Sequence, residues 1–255
     1  MRSGRVPRPG RRGAARRVRR RAFSQRSTAL PAPGRRAWGV ASPPHRPARP
    51  AGRARCGDRP AETCQRRRAM RLPPIPPSDL TAEQRPLYDD MRHGIETSFK
   101  GFTAIREDGA LIGPWAPWLR FPRFGGPVWE LVKALSAAPT LPRTVREVAI
   151  LVTGTHFHSG YELYAHILVA ELRGLSDDTI ATICAGQRPP DLGRAEAIAY
   201  DVASALVTGR LLPKLNYEQA RAEFGEDGLA ELINLVGLYC CVSVTLNGFD
   251  VPVPD

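Results

Sequence analysis

From Thr81 onward, apolar residues recur three and four positions apart rather than alternately. That spacing marks one face of a helix, and it continues almost to the end of the chain. The stretch "RLPPIPPSDL" is extended and stiffened by proline. "TAEQ" at 81–84 has capping-box spacing and predicts a first helix to about Met91, with Pro86 one turn inside it. Gly126 to Ala138 reads as a second helix. In "LPRTVREVAILVTGTH" the residues Val145, Val148, Ala149 and Val152 share a face, with Thr140 as a possible cap and Pro142 near the first turn. A further helix spans about Gly160 to Arg173. Gly174 then suits the left-handed closing position, with Leu175 as its hydrophobic contact. Ser176 caps the next helix, with Asp177 and Asp178 at its positive end, and this helix ends near Gly186. "LGRAEAIAYDVASALVTG" is amphipathic and stops at Gly209, and a shorter helix runs from Asn216 to Gly225. The one hairpin pattern is "FTAIREDGALIGPW", with Asp108 and Gly109 as its turn.

The last element, "LAELINLVGLYCCVSVTLNG", is largely apolar. A bilayer span needs about 20 predominantly apolar residues, but Glu231, Asn234, Ser243, Thr245 and Asn247 interrupt this one. It reads as a buried core or subunit-interface helix. The expected architecture is one all-α domain over residues 72–255, preceded by a tail.

Composition divides the chain at the same point. Residues 1–69 hold 21 arginines and no lysine against Asp58 and Glu62 alone, a net charge of +19. The remaining residues hold 16 basic and 23 acidic side chains, a net of −7. The first segment has too few large apolar residues to offset the entropy of ordering, so it is expected to be disordered. It reads most simply as a solvated leader ahead of Met70. A targeting peptide and a non-specific, salt-sensitive nucleic-acid-binding arm are the alternatives. "RRAF" at 20–23 hints at a twin-arginine signal, but no apolar run follows. Cys56, Cys64, Cys184, Cys240 and Cys241 form no Cys-x-x-Cys pair. They are expected to be reduced, which points to the cytoplasm.

The candidate chemistry lies in "EVAILVTGTHFHSGYELYAH", residues 147–166. Glu162 and His166 stand four apart and project from one helix face. Ser159 falls near that face, and Glu147 reaches the same pocket if "GTHFHSG" reverses the chain. A histidine transfers protons near neutrality, a neighbouring carboxylate orients it, and a second carboxylate in an apolar pocket can act as an acid. The competing reading is that Glu162 and His166 merely satisfy one another across a helical turn. A metal reading exists as well. His156, His158, Glu162 and His166 are possible ligands, and "HFHSGYE" matches part of the cupin motif. Its flanking glycines and later histidine are missing, so no metal is expected.

At these residues the chain resembles the carboxymuconolactone decarboxylase family, within the all-helical superfamily shared with alkylhydroperoxidase D. The resemblance rests on the block "LPRTVREVAILVTGTHFHSGYELYAHILVAELRGLSDDTIATI". "IPPSDLTAEQRPLYDDM" and the closing "LVGLYCCVSVTLNGFDVPVP" extend it over residues 72–255. The peroxidase branch carries a Glu, a Cys-x-x-Cys and a His. Here Glu147 and His166 hold the outer positions, while Ser159 and Glu162 stand where the cysteines belong. The dithiol chemistry of that branch needs a thiolate and a resolving thiol, and these residues supply neither. The resemblance therefore implies a cofactor-independent carboxy-lyase for a small carboxylated lactone or keto acid, with His166, Glu147 and Glu162 catalytic. Ser159, Arg146, Tyr161, Trp115 and Trp118 are candidate substrate contacts. Arg120 and Arg123 are further candidate cations, and Trp129 belongs to the same aromatic stretch. A thiol peroxidase and a non-enzymatic small-molecule binder remain as alternatives. The resemblance also implies a trimeric or hexameric homo-oligomer.

Overall fold

The computed structural model describes residues 71–254, with the exception of residue 138. The expectations for residues 1–69, Cys56 and Cys64 included, lie outside the described residues. The fold is all-α, with a short 3-10 turn at Pro77–Asp79 and eight α-helices among the described residues: α1 (Gln84–Ser98), α2 (Trp115–Arg120), α3 (Pro122–Ala137), α4 (Arg143–His156), α5 (Gly160–Leu172), α6 (Asp177–Cys184), α7 (Arg194–Val207) and α8 (Lys214–Phe249). No named strand occurs among them, and the expected hairpin reduces to one antiparallel bridge between Ile105 and Leu111. Its turn forms as the sequence suggests. Gly109 takes φ +83° and Asp108 Oδ1 accepts from the Ala110 amide at 3.0 Å.

Several boundaries shift for identifiable reasons. The capping box is reciprocal, with Thr81 N donating to Gln84 Oε1 at 3.0 Å and Gln84 N to Thr81 Oγ1 at 3.3 Å. The helix it opens runs past Met91, because Ile95 continues the buried face of Tyr88 and Met91. "WAPWLR" forms α2, which the aromatic density concealed, and α3 begins at Pro122 rather than Gly126. Thr140 does not cap α4. Its hydroxyl donates to Glu231 Oε2 at 2.7 Å, and Pro142 stands at the cap position instead. Ser176 does cap α6, its Oγ accepting from Thr179 N at 3.2 Å. The two expected terminal helices form one 36-residue run broken at Gly225, whose φ of +72° only glycine adopts without strain.

Two apolar clusters organise the core. One joins α4, α7 and α8 through residues such as Val148, Leu151, Val202 and Leu232. The other joins α1, α2, α3 and the second half of α8 through Met91, Trp115, Trp129 and Leu238. Helix α4 packs against α5, α6, α7 and α8, so it is buried from Glu147 to Gly154. Helix α5 contributes Tyr161 and Ala165 to the second cluster and Leu163 and Ile167 to the first, and Tyr239 of α8 touches both. The polar positions of α5 therefore face the seam between the clusters. By length and composition α8 could cross a membrane, yet 44% of its apolar window is buried inside this fold.

Glycine decides one approach next to that seam. Gly113 has φ +66°, and a Cβ there would strike the Tyr161 ring. Gly113→Ala should lower stability by about 1–3 kcal/mol, whereas Gly126→Ala, at an α3 site with open space around it, should raise it by about 0.5–1 kcal/mol. Urea denaturation of both variants checks the pair.

Candidate active site

Glu147 sits in the middle of α4 with no exposed surface. The chain leaves α4 at His156 and turns through His158, whose φ is +50°, a left-handed conformation uncommon for a residue with a side chain. Ser159 follows at the first position outside α5. The reversal lays α5 back along α4. Gly154 allows the close approach, since a Cβ there would lie 3.2 Å from Glu162 Cγ and 3.3 Å from Leu163. Glu162 is then in the first turn of α5, with His166 one turn further on.

The three side chains converge. His166 Nδ1 lies 2.7 Å from Glu147 Oε2, and His166 Nε2 lies 3.3 Å from Glu162 Oε1. The first contact is a hydrogen bond. The second is close but not aligned as one, because Glu162 Oε1 is buried with no hydrogen-bond partner among the described residues. With Nδ1 committed to Glu147, Nε2 is the ring atom left for a reacting group. Arg173, which closes α5, binds the other oxygen of Glu147. Sequence reasoning missed this residue. It stands seven positions beyond His166, two helical turns along the same face, and that spacing was the available signal. The Tyr239 ring meets His166 edge-on, with centroids 5.1 Å apart.

Burial and charge set the protonation states. Desolvation pushes the Glu162 carboxyl up to about 7; the positive charge available on His166 opposes this, and the Glu147 carboxylate adds to it. Burial works against a charged His166, but the two carboxylates and the Glu147 hydrogen bond outweigh it and raise its pKa, while Arg173 pulls the other way. The Tyr239 phenol is driven well up by burial and by the carboxylates of Glu162 and Glu147. It is a hydrogen-bond donor at neutral pH, not an acid. The site therefore holds a carboxyl raised to about 7 in contact with an imidazole that favours its protonated form, both largely out of water.

Glu162 and His166 form the polar floor of a partly open cavity of about 40 Å³. Its other walls are mostly aromatic, including Phe99, Phe102, Trp115, Trp118, Tyr161 and Tyr239. The expected contacts Trp115, Trp118 and Tyr161 thus lie on this wall, and the Tyr161 hydroxyl donates to Thr103 O at 2.7 Å. Other expected residues lie elsewhere. Ser159 is buried outside the lining, and its hydroxyl lacks a partner among the described residues. Arg146 is paired with Glu231, which also accepts from the Thr140 and Leu141 amides at 2.6 and 3.1 Å. Arg120 donates to Pro73 O at 2.6 Å, and Arg123 lies 5.2 Å over the Phe124 ring. Trp129 donates to Asp90 Oδ2 at 2.9 Å. His156 packs edge-on against Phe157, and His158 occupies the reversal. No group of three or more ligating side chains that could hold a metal occurs among the described residues. Cys184, Cys240 and Cys241 are free thiols outside the cavity wall. Burial raises the pKa of Cys184 and Cys240, the opposite of what a thiolate nucleophile needs.

This arrangement of helices is the alkylhydroperoxidase D-like fold. The apo structure of the debrominase Bmp8 matches with a TM-score of 0.55 at 14% identity, covering 69% of this chain and 90% of that one. A Bmp8 variant in complex with 2,3,4-tribromopyrrole matches with a TM-score of 0.54 at 14% identity, covering 72% and 91%. An alkylhydroperoxidase AhpD core from Ralstonia eutropha JMP134, described as an uncharacterized peroxidase-related protein, gives 0.54 at 13% identity, covering 73% and 93%. No family model and no curated protein matches the chain by sequence.

The raised pKa of Glu162 has a signed consequence for stability. Below its ordinary value of 4.5 the carboxyl is neutral folded or unfolded and carries no penalty. As the pH climbs, the unfolded chain ionises first, and folding loses free energy until the pH passes about 7. The raised pKa of His166 acts in the same direction, its contribution being lost as pH rises. At about 1.4 kcal/mol per unit, Glu162→Gln should gain stability over the parent on the order of 3–4 kcal/mol between pH 4.5 and 8. Denaturant titrations across that range check it, and a pH-independent difference would contradict it.

Proposed function

We propose that this chain is a cofactor-independent acid–base enzyme of the carboxy-lyase type, acting on a small carboxylated lactone or keto acid. The observation that carries the reading is the fixed order Glu147–His166–Glu162, with the free edge of the imidazole beside a neutralisable carboxyl at the cavity floor. Loss of CO2 breaks a carbon–carbon bond and leaves the electron pair on the substrate, spread into the adjacent carbonyl. Protonated His166 delivers the Nε2 proton to that carbon, and Glu162 or water returns a proton to the ring. Glu147 holds Nδ1 and stabilises the imidazolium, and Arg173 holds Glu147. Aromatic walls that exclude water strengthen each of these charge interactions.

A thiol peroxidase is the rival that the peroxidase-related neighbour brings up. Among the described residues no thiol lines the cavity, and that weighs against it. Bmp8, in the complex described above, accepts a flat small ring, and an aromatic wall suits a flat substrate here too. The reading includes a homo-oligomer, trimer or hexamer, supported by the exposed apolar positions Ile233 and Val244 on α8.

His166→Gln should lower turnover by about 10²–10⁴-fold with the circular dichroism spectrum unchanged. CO2 release from a panel of carboxylated lactones and 3-keto acids, whose carbonyl can take up the electron pair, is the measurement, and equal rates in the two proteins would remove His166 from the mechanism. Arg173→Gln should lower kcat about tenfold, the scale of a misplaced hydrogen-bonded partner, with little change in KM. It should also move the basic limb of the pH profile upward, because Arg173 holds the His166 pKa down. A profile that stays in place would reduce Arg173 to a purely structural residue.

A further inference from the structure

The charge and shape of the cavity limit what can occupy it, taking the cavity to be the substrate site proposed above. Among the described residues, no lysine or arginine lines it. The nearby arginines are occupied: Arg146 by Glu231, Arg173 by Glu147, and Arg120 by the carbonyl of Pro73. Of the described lining residues, His166 is the one that can carry a positive charge, and its Nδ1 side is already spent on Glu147. Glu162 shares the same floor. One substrate carboxylate can pair with the imidazolium, but a second would lie in an aromatic enclosure with a carboxyl group beside it and no cation to meet it.

Volume adds a second limit. A water needs about 10–15 Å³ of such space, and a dry cavity that holds benzene measures about 150 Å³. The 40 Å³ here admits a head of roughly three or four heavy atoms, and the rest of the molecule must lie toward the half-buried Phe99, Phe102 and Val132. Two buried polar atoms of the lining residues have no partner among the described residues, Trp115 Nε1 and Glu162 Oε1. An indole N–H only donates, so what satisfies it is an acceptor. Trp115 is held in place by an edge contact with Phe99 at 5.5 Å and a stacked one with Phe102 at 6.3 Å, so its direction is set before a ligand arrives.

We propose that the cavity selects a flat, short-headed substrate bearing at most one negative charge, that Trp115 Nε1 donates to its acceptor oxygen, and that dicarboxylates are turned away. Trp115 is thereby a specificity residue. The test uses three unreactive probes with one flat four-carbon skeleton and charges of zero, −1 and −2: trans-crotonamide, crotonate and fumarate. Each is titrated into the full chain at pH 8 while the indole N–H signals are followed by NMR, that of Trp115 being assigned by its loss in Trp115→Phe. Crotonamide and crotonate should shift the Trp115 signal, and fumarate should bind about tenfold more weakly or worse. Trp115→Phe should weaken crotonamide about fivefold, the scale of one neutral hydrogen bond, while binding of trans-2-pentene, which has no acceptor, stays within about twofold. Fumarate binding as tightly as crotonamide would overturn the proposal, as would no binding by any probe. Equal losses for crotonamide and pentene would overturn the role of Trp115. The probes do not react, so these outcomes are independent of turnover. A protein that fails the His166→Gln test can still pass this one, and the reverse.

Discussion

The bond between Glu147 on α4 and His166 on α5 is the constraint around which this fold is arranged. A carboxylate with no exposed surface is expensive to bury unless it is paired and hydrogen-bonded. Glu147 meets that condition with one oxygen on the imidazole and the other on Arg173. Both partners come from α5, so α5 can occupy only one register against α4. The reversal at His158 and the bare surface of Gly154 let it reach that register. The apolar clusters on either side then close over a polar seam that is already satisfied.

The same pairing divides the labour between the two ends of the imidazole. The end facing Glu147 is structural and electrostatic, and the end facing Glu162 is left for chemistry. Glu162 has no equivalent compensation. It is buried, its Oε1 has no hydrogen-bond partner among the described residues, and its carboxyl is raised to about 7. Two carboxylates on neighbouring helices thus have different partners: one has a guanidinium and an imidazole, and the other faces an aromatic cavity. A core optimised for stability alone would not leave such a group unsatisfied.

The arginines show how little a side-chain type says about its use. Arg146, Arg120 and Arg123 were each reasonable partners for an anionic substrate from their positions in the sequence. In the fold, Arg146 fastens the start of α4 to α8 through Glu231, Arg120 secures the segment at Pro73, and Arg123 lies over a phenyl ring. Arg173 drew no attention in the sequence because it lies at the end of its helix among residues that read as a stop signal, yet it carries a direct bond to the central carboxylate.

Local chemistry was legible in the sequence wherever a few adjacent residues sufficed. The period of the apolar positions dictated helices, Thr81 and Gln84 formed their reciprocal cap, Ser176 capped α6, and Gly225 broke the last helix. The i, i+4 relation of Glu162 and His166 placed them on one face for the same reason. Elements whose identity depends on distant partners were less legible. The proline- and tryptophan-rich α2 became a helix only inside the aromatic cluster, and Thr140 bonds a glutamate 91 residues away instead of capping α4. The sequence by itself determined which residues could share a helix face and that the chain holds no Cys-x-x-Cys pair. Only the tertiary structure decided that Glu147 and Arg173 close around His166 while Arg146 turns to Glu231, because those choices depend on how helices far apart in the chain pack, and a local pattern holds no information about that packing.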